Sequence, residues 1–106
     1  FRATLAAAPD AAEALYGLGM ALAASGNIPT AERALRDSLV AQPLQPLAEL
    51  QLASVLSAQG RWQESVAMLR AALVQHPGLP GAAALLAEAH TGLAGQIAAA
   101  AMVSRS

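Results

Sequence analysis

The sequence contains no cysteine, which excludes disulfides, thiolate metal ligands and cysteine nucleophiles. It also contains no lysine, and its six arginines are spread along the chain instead of forming a basic stripe. Only 3% of the residues are aromatic and 12% are charged, with a formal net charge of -1. Such a chain has no broad field to attract phosphates or an anionic bilayer. We expect no nucleic-acid partner.

Long apolar runs are missing as well. The longest, at residues 14–24 and 97–103, fall short of the ~18–20 residues that a helix needs to cross a bilayer. The chain opens at Phe1 with no basic segment before an apolar run, as expected of a piece of a longer protein. We expect a soluble, alanine-rich bacterial protein of the cytoplasm or periplasm, without membrane insertion.

Alanine and leucine dominate what is present, and they favour helix over strand. They are organised by an internal repeat with a period of 34 residues, within which apolar residues lie three or four apart. Each period is therefore predicted to form two amphipathic helices. The residues that recur are Phe1, Leu35 and Leu69; Leu5, Leu39 and Leu73; Pro9, Pro43 and Pro77; Leu18, Leu52 and Leu86; Gly26 and Gly60; and Pro46 and Pro80.

Glycines and prolines mark the predicted helix ends. Gly26 and Gly60 suit the left-handed turn within each pair, and Pro46 and Pro80 suit the first position of the next helix. The last repeat is truncated, because Gly92 and Gly95 blur its turn and residues 97–103 supply only part of a second helix. The predicted helices span residues 10–24, 29–41, 46–58, 62–75 and 80–92.

This pattern resembles the tetratricopeptide repeat family over nearly the whole chain. The matching positions are Leu15, Leu18, Gly19, Leu22, Gly26, Ala31, Leu35 and Pro43 in one repeat, and Leu52, Ala53, Leu56, Gly60, Ser65, Leu69, Ala72 and Pro77 in the next. Ser38, Glu49 and His90 depart from it. The resemblance implies an all-α, right-handed superhelical solenoid of antiparallel helix pairs. It divides the chain into the end of a preceding repeat (1–9), two repeats (10–43 and 44–77) and a partial, degenerate one (78–106).

Few residues could support catalysis. His76 and His90 are separated by a turn and two prolines, and we expect His90 to be a partly buried packing residue. The carboxylates are expected near helix starts or on solvent faces, without a pair for acid–base work. Trp62 is equivalent to Ile28 and is expected to pack between helices. We predict no catalytic residue, no cofactor and no metal site, and hence no enzyme.

The resemblance also implies a concave groove lined by the first helix of each repeat. The residues at groove positions are Glu13, Tyr16, Met20 and Ala23, then Leu47, Leu50, Ser54 and Ser57, then Ala84 and Glu88. The basic residues with which relatives clamp a chaperone's terminal carboxylate are absent from these positions. An apolar or weakly basic segment anchored by Tyr16, Met20 and Leu50 fits better. Equally, the groove could pack against the rest of the parent protein.

The leading hypothesis is a scaffold that binds a peptide segment of a partner protein. The alternative is a structural or substrate-recruiting region of a larger enzyme, of the glycosyltransferase, sulfotransferase or hydroxylase type, or of an exopolysaccharide-secretion protein. Phe1 and Leu5 at one end, and Leu93, Ile97, Met102 and Val103 at the other, leave apolar ends open. We therefore expect self-association, as a homodimer formed through the terminal helices. The alternative is a marginal monomer whose ends are covered in the parent protein.

Overall fold

The computed structural model describes residues 9–105, and the side chains of residues 11–103, so Phe1 and Leu5 lie outside it. All regular structure within this range is helical, which confirms the all-α fold. Pro9 opens the first helix, whereas Pro43 and Pro77, its counterparts in the period, lie between helices. The helices are α1 (Pro9–Ala24), α2 (Ile28–Ala41), α3 (Pro46–Ala58), α4 (Trp62–Gln75) and α5 (Ala82–Arg105).

A glycine in the left-handed conformation ends the first helix of each pair. Gly26 has a φ of 86° and Gly60 a φ of 73°, a region that side chains with a Cβ rarely adopt. The amide of Gly26 donates to the carbonyl oxygen of Ala23 at 3.1 Å, and the amide of Asn27 donates to that of Leu22 at 2.9 Å. Gly60 and the residue after it make the same two bonds. The predicted role of both glycines is confirmed.

The connections between pairs differ from each other. Pro46 opens α3, as predicted. α5 begins at Ala82 and not at Pro80, so that prediction is wrong. Leu79 is only 6% exposed within the core, and Gly81 after Pro80 has a φ of 83°. Burial of Leu79 and the left-handed Gly81 delay the start of the helix.

The helices stack in the order of the chain. α1 packs on α2 and α3 on α4, and α2·α3 and α4·α5 contacts join successive pairs. Among these five helices, α1 also contacts α3 and α3 contacts α5, whereas the backbones of α2 and α4 lie farther apart and are linked through side chains. The first helices therefore form the inner row of an elongated solenoid that measures 54 × 29 × 22 Å.

Leucines at repeat positions fill the core. Leu35 and Leu69, one period apart, are both 0% exposed. A Cβ on Gly19 would approach Leu35 within 3.0 Å, so the absent side chain lets α1 and α2 come close. Leu52 is 1% exposed, but its counterpart Leu18 is 51% exposed. The difference arises because Leu52 lies against Leu35 of the preceding helix, and no described helix precedes α1.

In the second helices α2 and α4, two serines occupy repeat positions where a small alanine is expected. Ser38 donates to the carbonyl oxygen of Ala12 at 2.6 Å, and Ser65 donates to that of Ala53 at 2.9 Å. Both serines are fully buried, and these bonds satisfy the hydroxyls at the contact between the helices of a pair. The departure at Ser38 is therefore compatible with the fold.

Long charged side chains join the two outer helices. Arg61 donates to Glu32 of α2 at 2.7 Å and to Glu64 at 2.9 Å, and Arg36 donates to Glu32 at 2.9 Å. Partial burial opposes the ionisation of Glu32, but hydrogen bonds from Gln59, Arg36 and Arg61 outweigh it and lower the pKa of this carboxyl. The hydrogen bond from Arg61 likewise lowers the pKa of Glu64.

α5 is a single continuous helix of 24 residues. It passes through Gly92 and Gly95, where the sequence predicted a blurred turn and part of a second helix. Gly92 lies under Trp62, which packs against the core as predicted. Because α5 does not turn back, no second helix within residues 9–105 covers His90, and this residue is exposed instead of partly buried.

Candidate functional site

The most apolar cavity described lies between α1 and α3 on the inner row of helices. It has a volume of about 350 Å³. It contains three groove residues predicted from the sequence, together with residues from the connection between α2 and α3. Its lining consists of Ala12, Glu13, Tyr16, Gln42, Gln45, Pro46, Leu47 and Ala48.

The wall from α1 presents Glu13 and Tyr16, three residues apart on one helical face. Tyr16 is half-buried and its ring packs against the core cluster of Leu35 and Leu52, which fixes its position. Glu13 is exposed. This wall therefore presents the aromatic ring of Tyr16, held in place by the core, and the exposed carboxylate of Glu13 beside it.

The opposite wall begins where α3 begins. Leu47 follows Pro46 and is 55% exposed, although it is a large aliphatic side chain. The side-chain amide of Gln45 donates to the backbone oxygen of Ser38 at 2.8 Å and to that of Gln42 at 2.7 Å. These bonds hold the connection against α2, so Leu47 is presented from a fixed backbone.

The other predicted groove residues are distributed along the inner row. Met20 is 40% exposed on α1, and Ser54 on α3 is exposed. Ala84 and Glu88 on α5 are also exposed. All four lie on first helices, outside the lining of the cavity.

Three predicted groove positions are used by the fold. Ala23 is half-buried against the core cluster of Leu35 and Leu52. Ser57 is 9% exposed and shares a hydrogen bond of 2.7 Å with the hydroxyl of Ser65, so assigning it to the groove was wrong. Leu50 is half-buried and packs against the core cluster that contains Leu69. Leu50 is therefore better placed to support the groove than to anchor a ligand.

The sequence analysis missed the contribution of Gln42 and Gln45 in the connection and of Pro46 at the start of α3. The signal available was Pro46 itself, because a proline at the first helical position fixes where Leu47 emerges. Gln42 and Gln45 carried no signal, since their positions depend on hydrogen bonds to Ser38 and to each other.

Charge is divided between the two rows of helices. The arginines whose side chains are described, Arg33, Arg36, Arg61 and Arg70, lie on α2 and α4 or directly before α4. The inner helices α1, α3 and α5 carry four acidic residues, Asp10, Glu13, Glu49 and Glu88, and one arginine, Arg105 at the end of α5. The inner row is therefore acidic and apolar.

Glu49 lies in the first turn of α3, near a helix start as expected, but its side chain is buried, with only 6% exposed. Its carboxylate accepts a hydrogen bond from the side-chain amide of Gln75. Burial raises the pKa of Glu49, and the bond from Gln75 only partly offsets this. The carboxyl faces the pair α3·α4 and not the cavity, whose lining does not include it.

A second cavity, of about 370 Å³, lies beside the outer helix α2. Its lining includes Glu32 and Arg36, which are already paired with each other and with the outer ion network. Residues 9–105 contain no group of three side chains able to hold a metal ion. No helix in that range is long and apolar enough to traverse a membrane.

Comparison with known proteins agrees with this architecture. A family model described as tetratricopeptide repeat matches residues 1–46, and a second model with the same description matches residues 46–89. No curated protein matches the chain. The two matches cover both predicted repeats and the start of α5, and the chain belongs to the tetratricopeptide repeat family.

Proposed function

We propose that this chain is a non-catalytic interaction module that holds a segment of a partner protein along its inner row of helices. Membership of the tetratricopeptide repeat family supports a role in protein–protein interaction. The observation that carries the proposal is the cavity between α1 and α3, where Tyr16 and Leu47 face a common space beside Glu13. A half-exposed leucine on a fixed backbone is a suitable anchor for an apolar side chain.

The segment bound there is apolar with a basic residue. Glu13 and Glu88 are exposed on the inner row, and Arg33, Arg36, Arg61 and Arg70 lie on or next to the outer helices. An arginine on the ligand would gain charge-assisted hydrogen bonds, whereas a terminal carboxylate would be repelled. A segment recruited in this way could also belong to the same protein, as in a larger enzyme or an exopolysaccharide-secretion protein that uses the repeats for support or recruitment.

Short synthetic peptides test this proposal. Two sets share leucine-rich sequences and blocked termini and differ only in having arginine or glutamate at one position. We expect the arginine set to bind preferentially and Leu47→Ser to weaken binding about tenfold, which corresponds to about 1.4 kcal/mol. The control Val74→Ser changes a residue of α4 that is 82% exposed and should leave binding unchanged.

Glu13→Gln should reduce the preference for arginine without abolishing binding. Leu50→Arg is a poor probe because Leu50 packs against the core, and its loss would unfold α3·α4. Equal binding of both peptide sets would reject the charge preference. Equal losses of peptide affinity in Leu47→Ser and Val74→Ser would reject the groove as the binding site.

We also propose that two copies associate through α5. Ile97 and Val103 are 62% and 75% exposed, and the mean hydropathy of the chain is +0.44. Covering several large apolar side chains contributes ~1.5–3 kcal/mol each, enough to offset part of the entropy lost on pairing. Sedimentation equilibrium at micromolar concentration should show a dimer. A single 10.7 kDa species would contradict this.

A further inference from the structure

Two residues of α1 in the cavity between α1 and α3 are not required by the repeat. Tyr16 corresponds to Leu50 one period later. Glu13 corresponds in the same way to Leu47, which is exposed. An aromatic ring beside a carboxylate therefore occurs on α1 and not at the equivalent positions of α3, although both are first helices of their pairs. This difference points to a use of the two side chains beyond the packing of the repeat.

The ring of Tyr16 is held in place from the core side. Tyr16 packs against the cluster that contains Leu35 and Leu52, and it also lines the cavity, where it is half-buried. A ring held in this way offers a flat apolar surface to a ligand. A planar group can stack on it with little further loss of side-chain freedom, because the ring is already ordered.

The carboxylate of Glu13 is available to a ligand. Glu32 and Glu64 are paired with arginines in the outer ion network. Glu13 is exposed and makes no ion pair and no side-chain hydrogen bond within residues 9–105. It lies three residues before Tyr16, so the two Cβ atoms are about 5–6 Å apart on one face of α1. A group that stacks on the ring is therefore within reach of the carboxylate.

The remaining lining supplies hydrogen-bond acceptors and no basic side chain. None of the eight residues that line the cavity is basic. The side-chain amide of Gln45 is already bonded to the backbone of Ser38 and of Gln42. The side-chain amide of Gln42 is exposed and has no hydrogen-bond partner among the described residues. The volume of about 350 Å³ is at the lower end for ligand pockets and is sufficient for one long side chain.

We infer that this cavity binds an arginine side chain of the partner segment, with the guanidinium stacked on Tyr16 and paired with Glu13. The inference rests on the proposed function and names the side chain that the cavity selects. A guanidinium is planar and presents its N–H groups in a fixed fork, so it can lie on the ring and bond both carboxylate oxygens. The ammonium of lysine has the charge but not the plane. The methylene stem of the arginine lies against the exposed part of Leu47.

Peptides that differ at one position test this selection. The leucine-rich peptides of the groove experiment carry arginine, lysine or citrulline at that position, and citrulline has the shape of arginine without its charge. We expect the arginine peptide to bind the unmodified chain about tenfold more tightly than either of the others, because stacking needs the plane and the ion pair needs the charge. Fluorescence anisotropy of labelled peptides measures the three dissociation constants.

Variants of the chain separate the ring from the carboxylate. Tyr16→Leu introduces the residue found at the equivalent position of α3 and should remove most of the preference for arginine over lysine, whereas Tyr16→Phe should keep it. Glu13→Gln should remove most of the preference for arginine over citrulline. Glu88→Gln is the matched control, because Glu88 is exposed on the inner row outside the cavity lining, and it should change neither preference.

The outcomes distinguish the arginine site from the groove. Equal affinities of the unmodified chain for the arginine and lysine peptides, with Leu47→Ser still weakening both, would overturn the arginine site and leave the groove standing. A preference for arginine that neither Tyr16→Leu nor Glu13→Gln reduces would also overturn it. If no peptide bound, or if Leu47→Ser and Val74→Ser lost affinity equally, the groove and the arginine site would both be rejected.

Discussion

Gly92 of α5 lies so close to the indole of Trp62 that a Cβ on it would come within 3.0 Å of the ring atoms Cδ2, Cε2 and Cε3. By the 34-residue period, Gly92 is equivalent to Ala24 and Ala58, and Trp62 is equivalent to the smaller Ile28. The larger ring on α4 is thus accommodated by a smaller residue on α5. This contact brings α5 close to the start of α4.

Gly92→Ala should therefore destabilise the fold, although alanine is the better helix former. Gly17→Ala is the matched control, because Gly17 is in the middle of α1 with nothing within 4 Å of where a Cβ would lie. The control should gain ~0.5–1 kcal/mol from helix propensity. Overpacking against Trp62 should make the free energies of unfolding of the two variants differ by about 1–3 kcal/mol, as measured by urea denaturation.

The same change in a Trp62→Ile background tests the cause. If the ring is responsible, Gly92→Ala becomes neutral or stabilising there, and the double-mutant cycle shows coupling between the two positions. Equal effects of Gly92→Ala in both backgrounds would mean that the indole does not restrict position 92.

Leu52 and Leu18 offer a second matched comparison, since they occupy the same repeat position in different surroundings. Leu52→Ala should cost ~2–5 kcal/mol, the range for truncating a buried leucine. Leu18→Ala should cost clearly less, because Leu18 is 51% exposed and Leu52 only 1%. Chemical denaturation of both variants measures the difference. Similar losses would show that burial at this position does not depend on the preceding helix.

The helix pairs could be predicted from the sequence because their signals are local. Gly26 and Gly60 adopt a φ that few other residues accept, and Pro46 fixes the start of α3. Leu35 and Leu69 repeat at the period that stacks the pairs. For these elements the local preference and the packing agree.

The features that the sequence analysis missed depend on contacts between residues far apart in the chain. α5 runs without interruption past Trp62, although its glycines suggested a turn. The burial of Glu49 depends on Gln75, which lies 26 residues away. Ser57 faces Ser65 inside the pair and not the groove. Glu13, Tyr16 and Leu47 line one cavity, but the connection that completes its lining was not predictable.

The ion network between α2 and α4 should make stability sensitive to salt. Arg61→Ala removes the bonds to Glu32 and Glu64, and we expect the resulting loss of stability to shrink as salt screens the remaining charges. Arg70→Ala, on the exposed surface of α4, is the control. Thermal unfolding at low and high salt measures both. A salt-independent loss in Arg61→Ala would point to packing by the side chain and not to its charge.

Acid should weaken the same network. The pKa of Glu32 is lowered in the fold, so its contribution to stability is present above the ordinary value of 4.5 and is lost as the pH falls through the lowered pKa. In Arg61→Ala this acid-dependent loss should be smaller than in the unmodified chain. An identical pH profile for the two proteins would contradict the role of Arg61 in holding the Glu32 carboxylate.

Glu49 should produce the opposite dependence on pH. Burial raises its pKa above the ordinary value of 4.5, so the folded state holds the proton more tightly than the unfolded state. This contribution is therefore fully present below pH 4.5 and is lost as the pH rises through the raised pKa. At neutral pH the buried carboxylate is a cost that its bond to Gln75 only partly offsets.

Glu49→Gln keeps the shape of the side chain and can still accept a hydrogen bond from Gln75, but the amide does not ionise. We expect it to match the unmodified chain in acid and to be more stable at neutral pH, as measured by urea denaturation across this range. Glu49→Met, which places an apolar side chain where the preceding repeat has Leu15, should remove the same pH dependence. If either variant retained the pH dependence, the titrating group would lie elsewhere. If Glu49→Gln were less stable at neutral pH, the carboxylate would be stabilising the pair α3·α4 despite its burial.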